Sequence, residues 1–154
     1  MIGRLLAMAA LALTLVSVAT TAQPQTFERD KLAIETAGGA QQFAVELAVT
    51  SDQRQQGLMF RERLPAGAGM LFLYPAARPV AMWMKNTLIP LDMLFIGDDG
   101  RILHIAERTI PGSTATISSM QPARAVLELN GGSAARLHIQ VGDRVLYRTF
   151  GTAD

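Results

Sequence analysis

Asp92 is the residue from which the chemistry of this sequence can best be argued. It is the one ionisable residue in an apolar run, residues 89–96 (IPLDMLFI). A carboxylate in an apolar strand costs several kcal/mol unless donors or a cation accompany it. The nearest donors in the sequence are Lys85, Asn86 and the backbone around Thr87. We therefore expect these residues to satisfy Asp92, either to fix a turn or to build a ligand-binding site.

Other polar side chains in apolar segments extend this candidate site. Trp83 and Lys85 share a face of a predicted strand, where a ring beside hydrogen-bonding groups can stack on a sugar. Arg54, Arg61 and Arg63 can each clamp a carboxylate or phosphate through a planar guanidinium. Glu128, between two leucines, needs a donor if it is buried, and Arg61 is chemically suited to be that donor. The sequence thus predicts a pocket for a saccharide or small anion, with candidate residues Arg61, Trp83, Lys85, Asn86, Asp92 and Glu128.

Two alternative functions remain open from the residue types. Asp92 and Glu128 can be read as the carboxyl pair of a hydrolase acting on envelope carbohydrate. Met82 and Met84 share a strand face, and thioethers select Cu(I), so a histidine could complete a periplasmic copper site; the two histidines are His104 and His138.

Each candidate also has a purely structural interpretation. Asp92 can anchor a turn, Trp83 can be a core residue, the arginines can form surface ion pairs, and the methionines can fill the core. The histidine spacing matches no zinc motif, so the sequence predicts no metal site and no cofactor.

The first 22 residues resemble a secretory signal peptide. Arg4 precedes an apolar run, residues 5–19, and small residues end at Ala22 before a polar stretch. The run is shorter than the ~20 residues that cross a bilayer. We expect cleavage after Ala22, export to the periplasm or beyond, and no stable membrane anchor afterwards.

The composition excludes several classes of partner and chemistry. Without cysteine, the chain has neither thiol catalysis nor disulfides, so an exported domain must be held together by its core. The 13 basic residues that follow the predicted signal balance the 13 acidic ones. An evenly mixed charge gives no reason to expect nucleic acid or an anionic membrane as a partner, and the sequence identifies no protein partner.

Short alternating apolar segments and frequent turns predict a mainly β fold. Phe43, Val45, Leu47 and Val49 alternate as in a half-buried strand, and residues 97–100 (GDDG) predict a hairpin. Ser51 can cap a short helix over residues 52–60. We expect a compact, mainly antiparallel sandwich or barrel with one or two short helices. Its predicted parts are a lead-in, residues 23–42, and a single β-rich domain, residues 43–150. The remaining predicted strands are residues 31–36, 70–74, 80–85, 89–96, 101–106, 125–129, 138–140 and 144–148, with an irregular loop at residues 107–122.

Several sequence blocks occur in an order that points to one family. They are GLMFR (57–61), LP (64–65), GMLFLY (69–74), WMKNTLIPLDMLFI (83–96), AVLELNGG (125–132) and VGD (141–143). Together they cover the chain from about residue 47 to residue 146 and resemble the bacterial and archaeal family called domain of unknown function 192. The resemblance implies a compact, β-rich, jelly-roll-like domain, often behind a signal peptide. It implies no established activity.

Overall fold

A computed structural model describes residues 24–153, so the predicted signal peptide lies outside the described residues. The helices and strands are β1 (Glu28–Thr36), β2 (Gly39–Ala48), α1 (Ser51–Gln56), β3 (Ala68–Arg78), β4 (Ala81–Met82), β5 (Leu91–Ile96), β6 (Ile102–Ala106), β7 (Ile117–Ser118), β8 (Ala123–Asn130), α2 (Ser133–Leu137) and β9 (Arg144–Leu146), followed by a 3₁₀ turn (Arg148–Phe150). Within residues 24–153, no helix is long and apolar enough to cross a bilayer.

Seven strands form one sheet in the order β6-β5-β8-β3-β2-β1-β9, and β4 pairs with β7 in a separate ribbon. The large sheet curls into a half-barrel whose two edges meet. An isolated bridge joins Arg101 to Arg144, and the Val145 amide donates to the Gly100 carbonyl at 2.8 Å. The mainly β class and the compact barrel-like form are confirmed, together with two short helices.

One strand pair departs from the antiparallel arrangement expected from the sequence. β2 and β3 run parallel, with Val45 opposite Gly69. Parallel neighbours need a crossover connection, and α1 with the loop after it provides that connection. The helix begins with a capping box, in which the Thr50 side chain accepts from the Gln53 amide and the Gln53 side chain accepts in return. The cap is therefore Thr50, one residue before the predicted Ser51, and the helix ends at Gln56, well short of residue 60.

The sheet separates two apolar clusters because side chains alternate between its faces. The first cluster includes Leu71, Leu94 and Leu127, and the second includes Phe72, Met93 and Val126. Helix α2 packs on the first cluster through Ala134. The crossover that contains α1 packs on the second cluster; its contributing residues are Leu58 and Leu64.

The structure moves several boundaries predicted from the sequence. β1 pairs along its whole length with β2, so residues 28–42 belong to the domain and the predicted boundary at residue 43 is too late. Only Ala81–Met82 of the predicted strand 80–85 pairs as a strand. At the end of the chain, β9 is a strand, while residues 138–140 are not. The predicted hairpin at residues 97–100 is confirmed between β5 and β6.

Candidate functional site

A cavity of about 430 Å³ lies on the face of the sheet that carries the second apolar cluster. The crossover covers one side of this cavity, and the segment around β4 covers the other. Its polar and aromatic lining residues include Arg54 from α1, Tyr74 and Arg78 from β3, Trp83 after β4, and Glu128 from β8. We call this space the Glu128 cavity.

Glu128 lies at the most buried part of this cavity. Its position in the middle of β8, opposite Met70 and Met93, leaves it 4% exposed. Within residues 24–153, no hydrogen bond or ion pair reaches its carboxyl group. Burial disfavours the charged form and raises the pKa of Glu128 to about 8. The carboxyl group is therefore mostly protonated at neutral pH and can donate a hydrogen bond into the cavity.

Tyr74 lies within electrostatic reach of the other ionisable residues of the cavity. Its hydroxyl group contacts the Met82 sulfur at 3.8 Å, a weak acceptor. Burial raises the pKa of Tyr74, the charges of Arg54 and Arg78 oppose that rise, and the charge of Glu128 reinforces it. Tyr74 is therefore close enough to both arginines and to Glu128 for their charges to affect its ionisation.

Arg54 is held in place by backbone carbonyls and by the Tyr74 ring. Its Nη1 donates to the carbonyls of Val49 at 2.5 Å and Leu73 at 3.0 Å, and its Cζ lies 5.2 Å from the centre of the Tyr74 ring. In the described part of the chain, no acceptor lies against its Nε or Nη2. The guanidinium thus keeps one donor edge free.

Of the six candidate site residues, Trp83 and Glu128 line the cavity and the other four do not. Trp83 is 45% exposed, and Lys85 Nζ lies 5.2 Å from the centre of its ring. Asn86 is exposed in a left-handed conformation (φ 57°), and its carbonyl accepts from the Phe60 amide at 2.8 Å. Lys85 and Asn86 therefore lie beside the cavity, on the outer surface.

Asp92 has a structural role, and the predicted donors to it were wrong. Its carboxylate accepts from the amides of Arg108 at 2.8 Å, Gly132 at 2.9 Å and Ala134 at 2.8 Å, and the residue is 0% exposed. Neither Lys85 nor Asn86 contributes to this set of donors. Asp92 ties the loop after β6 to the start of α2, and it lies outside the Glu128 cavity.

Arg61 lines a second cavity, of about 440 Å³, beside β2 and the loop before β3. It forms an ion pair with Glu46, and its guanidinium lies 5.7 Å from the centre of the Phe27 ring. The predicted pairing of Arg61 with Glu128 is therefore wrong, because Arg61 forms its ion pair with Glu46 on β2.

The geometry also separates the two carboxyl groups of the proposed hydrolase. In the β5–β8 register, Asp92 is opposite Leu129 and Met93 is opposite Glu128. Residues paired across strands point to the same face and neighbours along a strand to opposite faces. Asp92 and Glu128 therefore lie on opposite faces of the sheet, with no shared space for a substrate.

The predicted copper ligands do not converge either. Met84 is 0% exposed and its sulfur accepts from the Thr109 hydroxyl at 3.1 Å. His104 stacks on Phe95 with 5.7 Å between ring centres, and His138 ends α2. Neither histidine lines the cavity to which Met82 contributes. In the described chain, no group of three or more histidine, cysteine or acidic residues has the arrangement of a metal site.

Tyr74 and Arg78 line the cavity but were not predicted as site residues, and Arg54 was predicted only as a general clamp for an anion, not as part of this pocket. They come from the crossover helix and from the end of β3. The available signal was a helix between two apolar segments, which indicates a crossover and places its polar residues over one face of the sheet. The sequence favoured antiparallel neighbours, an arrangement in which no crossover is needed.

The family model for domain of unknown function 192, described as an uncharacterized ACR, matches residues 33–147. The chain belongs to this family. A crystal structure from Sinorhizobium meliloti 1021, described as a candidate transcription regulator, is 46% identical, with a TM-score of 0.77. That match covers 80% of this chain and 96% of the other. A protein of unknown function from Novosphingobium aromaticivorans DSM 12444 is 38% identical over 85% of this chain and 94% of its own, with a TM-score of 0.78. No curated protein matches this chain.

Proposed function

We propose that this domain is a non-catalytic binding module that holds a small polar molecule, a saccharide or a small organic anion, in the Glu128 cavity. The observation that carries the proposal is the carboxyl group of Glu128, which is 4% exposed and has no partner among the described residues. Within residues 24–153 no fully buried side-chain oxygen lacks a partner, so the Glu128 oxygens open into the cavity. A carboxyl group this buried without a protein donor still lowers stability, a cost that is expected where a bound molecule supplies the missing partner.

The size and lining of the cavity support the same proposal. Its volume of about 430 Å³ falls within the range of ligand pockets, roughly 300–1,000 Å³. Trp83 offers a half-exposed ring, while Tyr74 and Arg54 offer donors beside apolar surface from Phe72. Small-molecule sites combine polar groups with apolar surface, and this lining does so with a large polar share, to which Ser51, Gln55, Gln56 and Thr87 also contribute.

Binding is preferred to glycoside hydrolysis because a glycosidase needs two carboxyl groups facing one bond. Glu128 faces the cavity, whereas Asp92 lies on the opposite face of the sheet and is bonded to three amides. The proposal therefore gives Glu128 the role of a hydrogen-bonding group.

Ligand screening with a blocked cavity tests the proposal. Saccharides, small organic anions, neutral amides and amines are screened by thermal shift and calorimetry against the purified protein. We expect at least one compound class to raise the melting temperature, and Ala81→Trp, in the lining, to abolish that shift. Ala135→Trp, on exposed α2, is the matched control and keeps it. The proposal fails if no class binds, or if binding survives in Ala81→Trp.

We also propose that the protein acts outside the cytoplasm, on the basis of the signal-like residues 1–22. The mature protein is then expected in the periplasmic or secreted fraction with Gln23 as its first residue. Intact-mass measurement on the fractionated protein checks this. A cytoplasmic protein that keeps residues 1–22 would contradict it.

The description of the Sinorhizobium meliloti relative suggests DNA as an alternative ligand. The balanced charge of the chain after residue 22 does not favour that alternative, because phosphate contacts dominate DNA affinity. Titration with duplex DNA at low salt is the corresponding test, and we expect no binding.

A further inference from the structure

The charge of the Glu128 cavity is positive at neutral pH. The titratable side chains that line it are Arg54 from α1, Tyr74 and Arg78 from β3, and Glu128 from β8. The segment around β4 adds Met82 and Trp83, which carry no charge. The two arginines are charged, while burial keeps Glu128 mostly neutral by raising its pKa to about 8. The lining therefore attracts an anion more than a cation.

The free edge of Arg54 has the geometry that carboxylates use. Its Nη1 donates to two carbonyls, which hold the guanidinium in place, and its Cζ lies 5.2 Å from the centre of the Tyr74 ring. The Nε and Nη2 groups remain as a pair of parallel donors. Parallel donors on a planar cation bind a carboxylate in a bidentate manner, and a side chain fixed beforehand loses little entropy when it does so.

Glu128 supplies a donor that discriminates by charge. A protonated carboxyl group donates a hydrogen bond to an anionic oxygen, whereas an ammonium group offers it no acceptor. The rest of the lining is mixed, because Phe72, Met82 and Trp83 are apolar while Ser51, Gln55, Gln56 and Thr87 are polar. The apolar side can receive a ring or aliphatic body. The cavity therefore combines two sources of anion recognition with an apolar wall.

We propose that the Glu128 cavity selects small organic carboxylates with an apolar body over neutral and cationic molecules of the same shape. Arg54 pairs with the carboxylate, the proton on Glu128 is donated to it, and the apolar body rests against Phe72, Met82 and Trp83. This inference rests on the proposed function, because it names what the same cavity binds.

Three probes that share one ring test the selectivity. Benzoate, benzamide and benzylamine carry a negative, neutral and positive group, and their affinities are measured by calorimetry at pH 7. We expect benzoate to bind at least ~10-fold more tightly than benzamide, the size of one charge-assisted pair, and benzylamine to bind most weakly. Benzamide binding as tightly as benzoate, benzylamine binding best, or no binding of benzoate overturns the inference.

The pH dependence of benzoate binding tests the role of Glu128. If only protonated Glu128 accepts the anion, a pKa of about 8 makes the affinity fall about 10-fold between pH 7 and pH 9. Glu128→Gln keeps a neutral donor, so we expect it to bind benzoate at pH 7 and to lose this pH dependence. A flat profile for the parent protein contradicts the proposed proton donor.

Arginine variants separate charge from geometry. Arg54→Lys keeps the charge but loses the planar pair of donors, so we expect roughly 10-fold weaker benzoate binding. Arg78→Gln should weaken it by roughly 2- to 3-fold, because Arg78 is exposed and acts through screened charge. Arg63→Gln, exposed and outside the lining, is the matched control and is expected to bind as the parent. Binding unchanged in both Arg54→Lys and Arg78→Gln overturns the inference; if Arg54→Lys does not fold, Arg78→Gln and the pH profile decide.

The outcomes of the two proposals remain distinguishable. A saccharide or amine that binds in the cavity while benzoate does not would overturn the selectivity and leave the binding function in place. If no compound of any class binds, both proposals fail.

Discussion

Asp92 and Glu128 are two buried carboxyl groups on neighbouring strands of one sheet, and they differ in their partners. Asp92 is 0% exposed and accepts from three backbone amides. Glu128, one register position away on the other face, is 4% exposed and has no partner among the described residues. Burial alone therefore does not distinguish a structural carboxylate from a functional one. The supply of donors differs, since the fold gives the first group three amide donors and the second no partner among the described residues, which is the basis of the proposed binding role.

The largest effect that this comparison predicts is the loss of Asp92. Asp92→Ala leaves three amide donors buried without an acceptor, and we expect it to lower the free energy of unfolding by about 3–5 kcal/mol. Asp143→Ala removes one amide contact, from Gln140 at 2.8 Å, in a more exposed loop, and should cost about 1 kcal/mol. Urea unfolding measures both. Equal losses would show that Asp92 is no more important to folding than a loop carboxylate.

Replacing Glu128 should change the free energy of unfolding in the opposite direction, so that Glu128→Gln stabilises the protein. The pKa of Glu128 in the folded protein, about 8, lies above the ordinary value of 4.5 for a solvated glutamate. The unfolded chain therefore ionises first, and the stability of the parent falls as pH rises from about 4.5 to about 8. Glu128→Gln escapes this fall, so we expect it to be more stable than the parent by about 2–5 kcal/mol at pH 9 and unchanged at pH 4.

Urea midpoints of the parent and Glu128→Gln across pH 4 to 9 measure that difference. A difference that does not grow with pH would mean that Glu128 is already paired in the folded protein. Asp92→Asn is the matched amide substitution at the satisfied carboxylate, and it should destabilise the protein at neutral pH, because one oxygen acceptor is replaced by a donor.

A smaller effect on stability is expected at Gly57, which packs closely against Phe72 in the lining of the Glu128 cavity. Gly57 ends α1 at φ 48°, and a Cβ built there would lie 3.0 Å from Phe72 Cζ. Gly57→Ala should cost about 1–3 kcal/mol through strain and contact. Gly142 has φ 96° with nothing within 4 Å of a Cβ, so Gly142→Ala reports strain alone. Thermal unfolding that is equal for both would mean that the contact with Phe72 contributes nothing.

The smallest effect concerns a residue predicted for the site and found outside it. Lys85 is exposed and touches the site only through the Trp83 ring, 5.2 Å from its Nζ. Lys85→Ala should change the free energy of unfolding by about 0.5 kcal/mol, the value of an exposed cation–π pair. Benzoate affinity should stay within about 2-fold of the parent. A loss comparable to that of Arg54→Lys would return Lys85 to the binding site.

The sequence predicted local features of the fold better than contacts between distant segments. The hairpin after β5 and the burial of Asp92 follow from short patterns, turn residues in one case and a single carboxylate among apolar residues in the other. The donors to Asp92 lie 16, 40 and 42 residues further along the chain. No spacing rule connects them to Asp92, because the curl of the sheet brings them together.

The candidate site was predicted in part for the same reason. Glu128 and Trp83 stand out as polar or aromatic groups in apolar segments, and both line the cavity. Arg54 and Tyr74 come together because β2 and β3 run parallel, so their connection crosses the sheet. Lys85 and Asn86 were placed in the site on the assumption that the strand continues to residue 85. The strand β4 ends at Met82, so the alternation of faces does not extend to these two residues, and both lie on the surface.

The crossover from β2 to β3 has a consequence for the lining of the cavity. Its residues line one side of the cavity. Its backbone hydrogen-bonds to the seven-stranded sheet at its end, where the Gly67 carbonyl accepts from the Ala44 amide. Loops and connections tolerate changes in length and composition far better than paired strands do. Under the proposed binding function, a change in this one connection would alter the lining of the cavity while leaving the barrel intact.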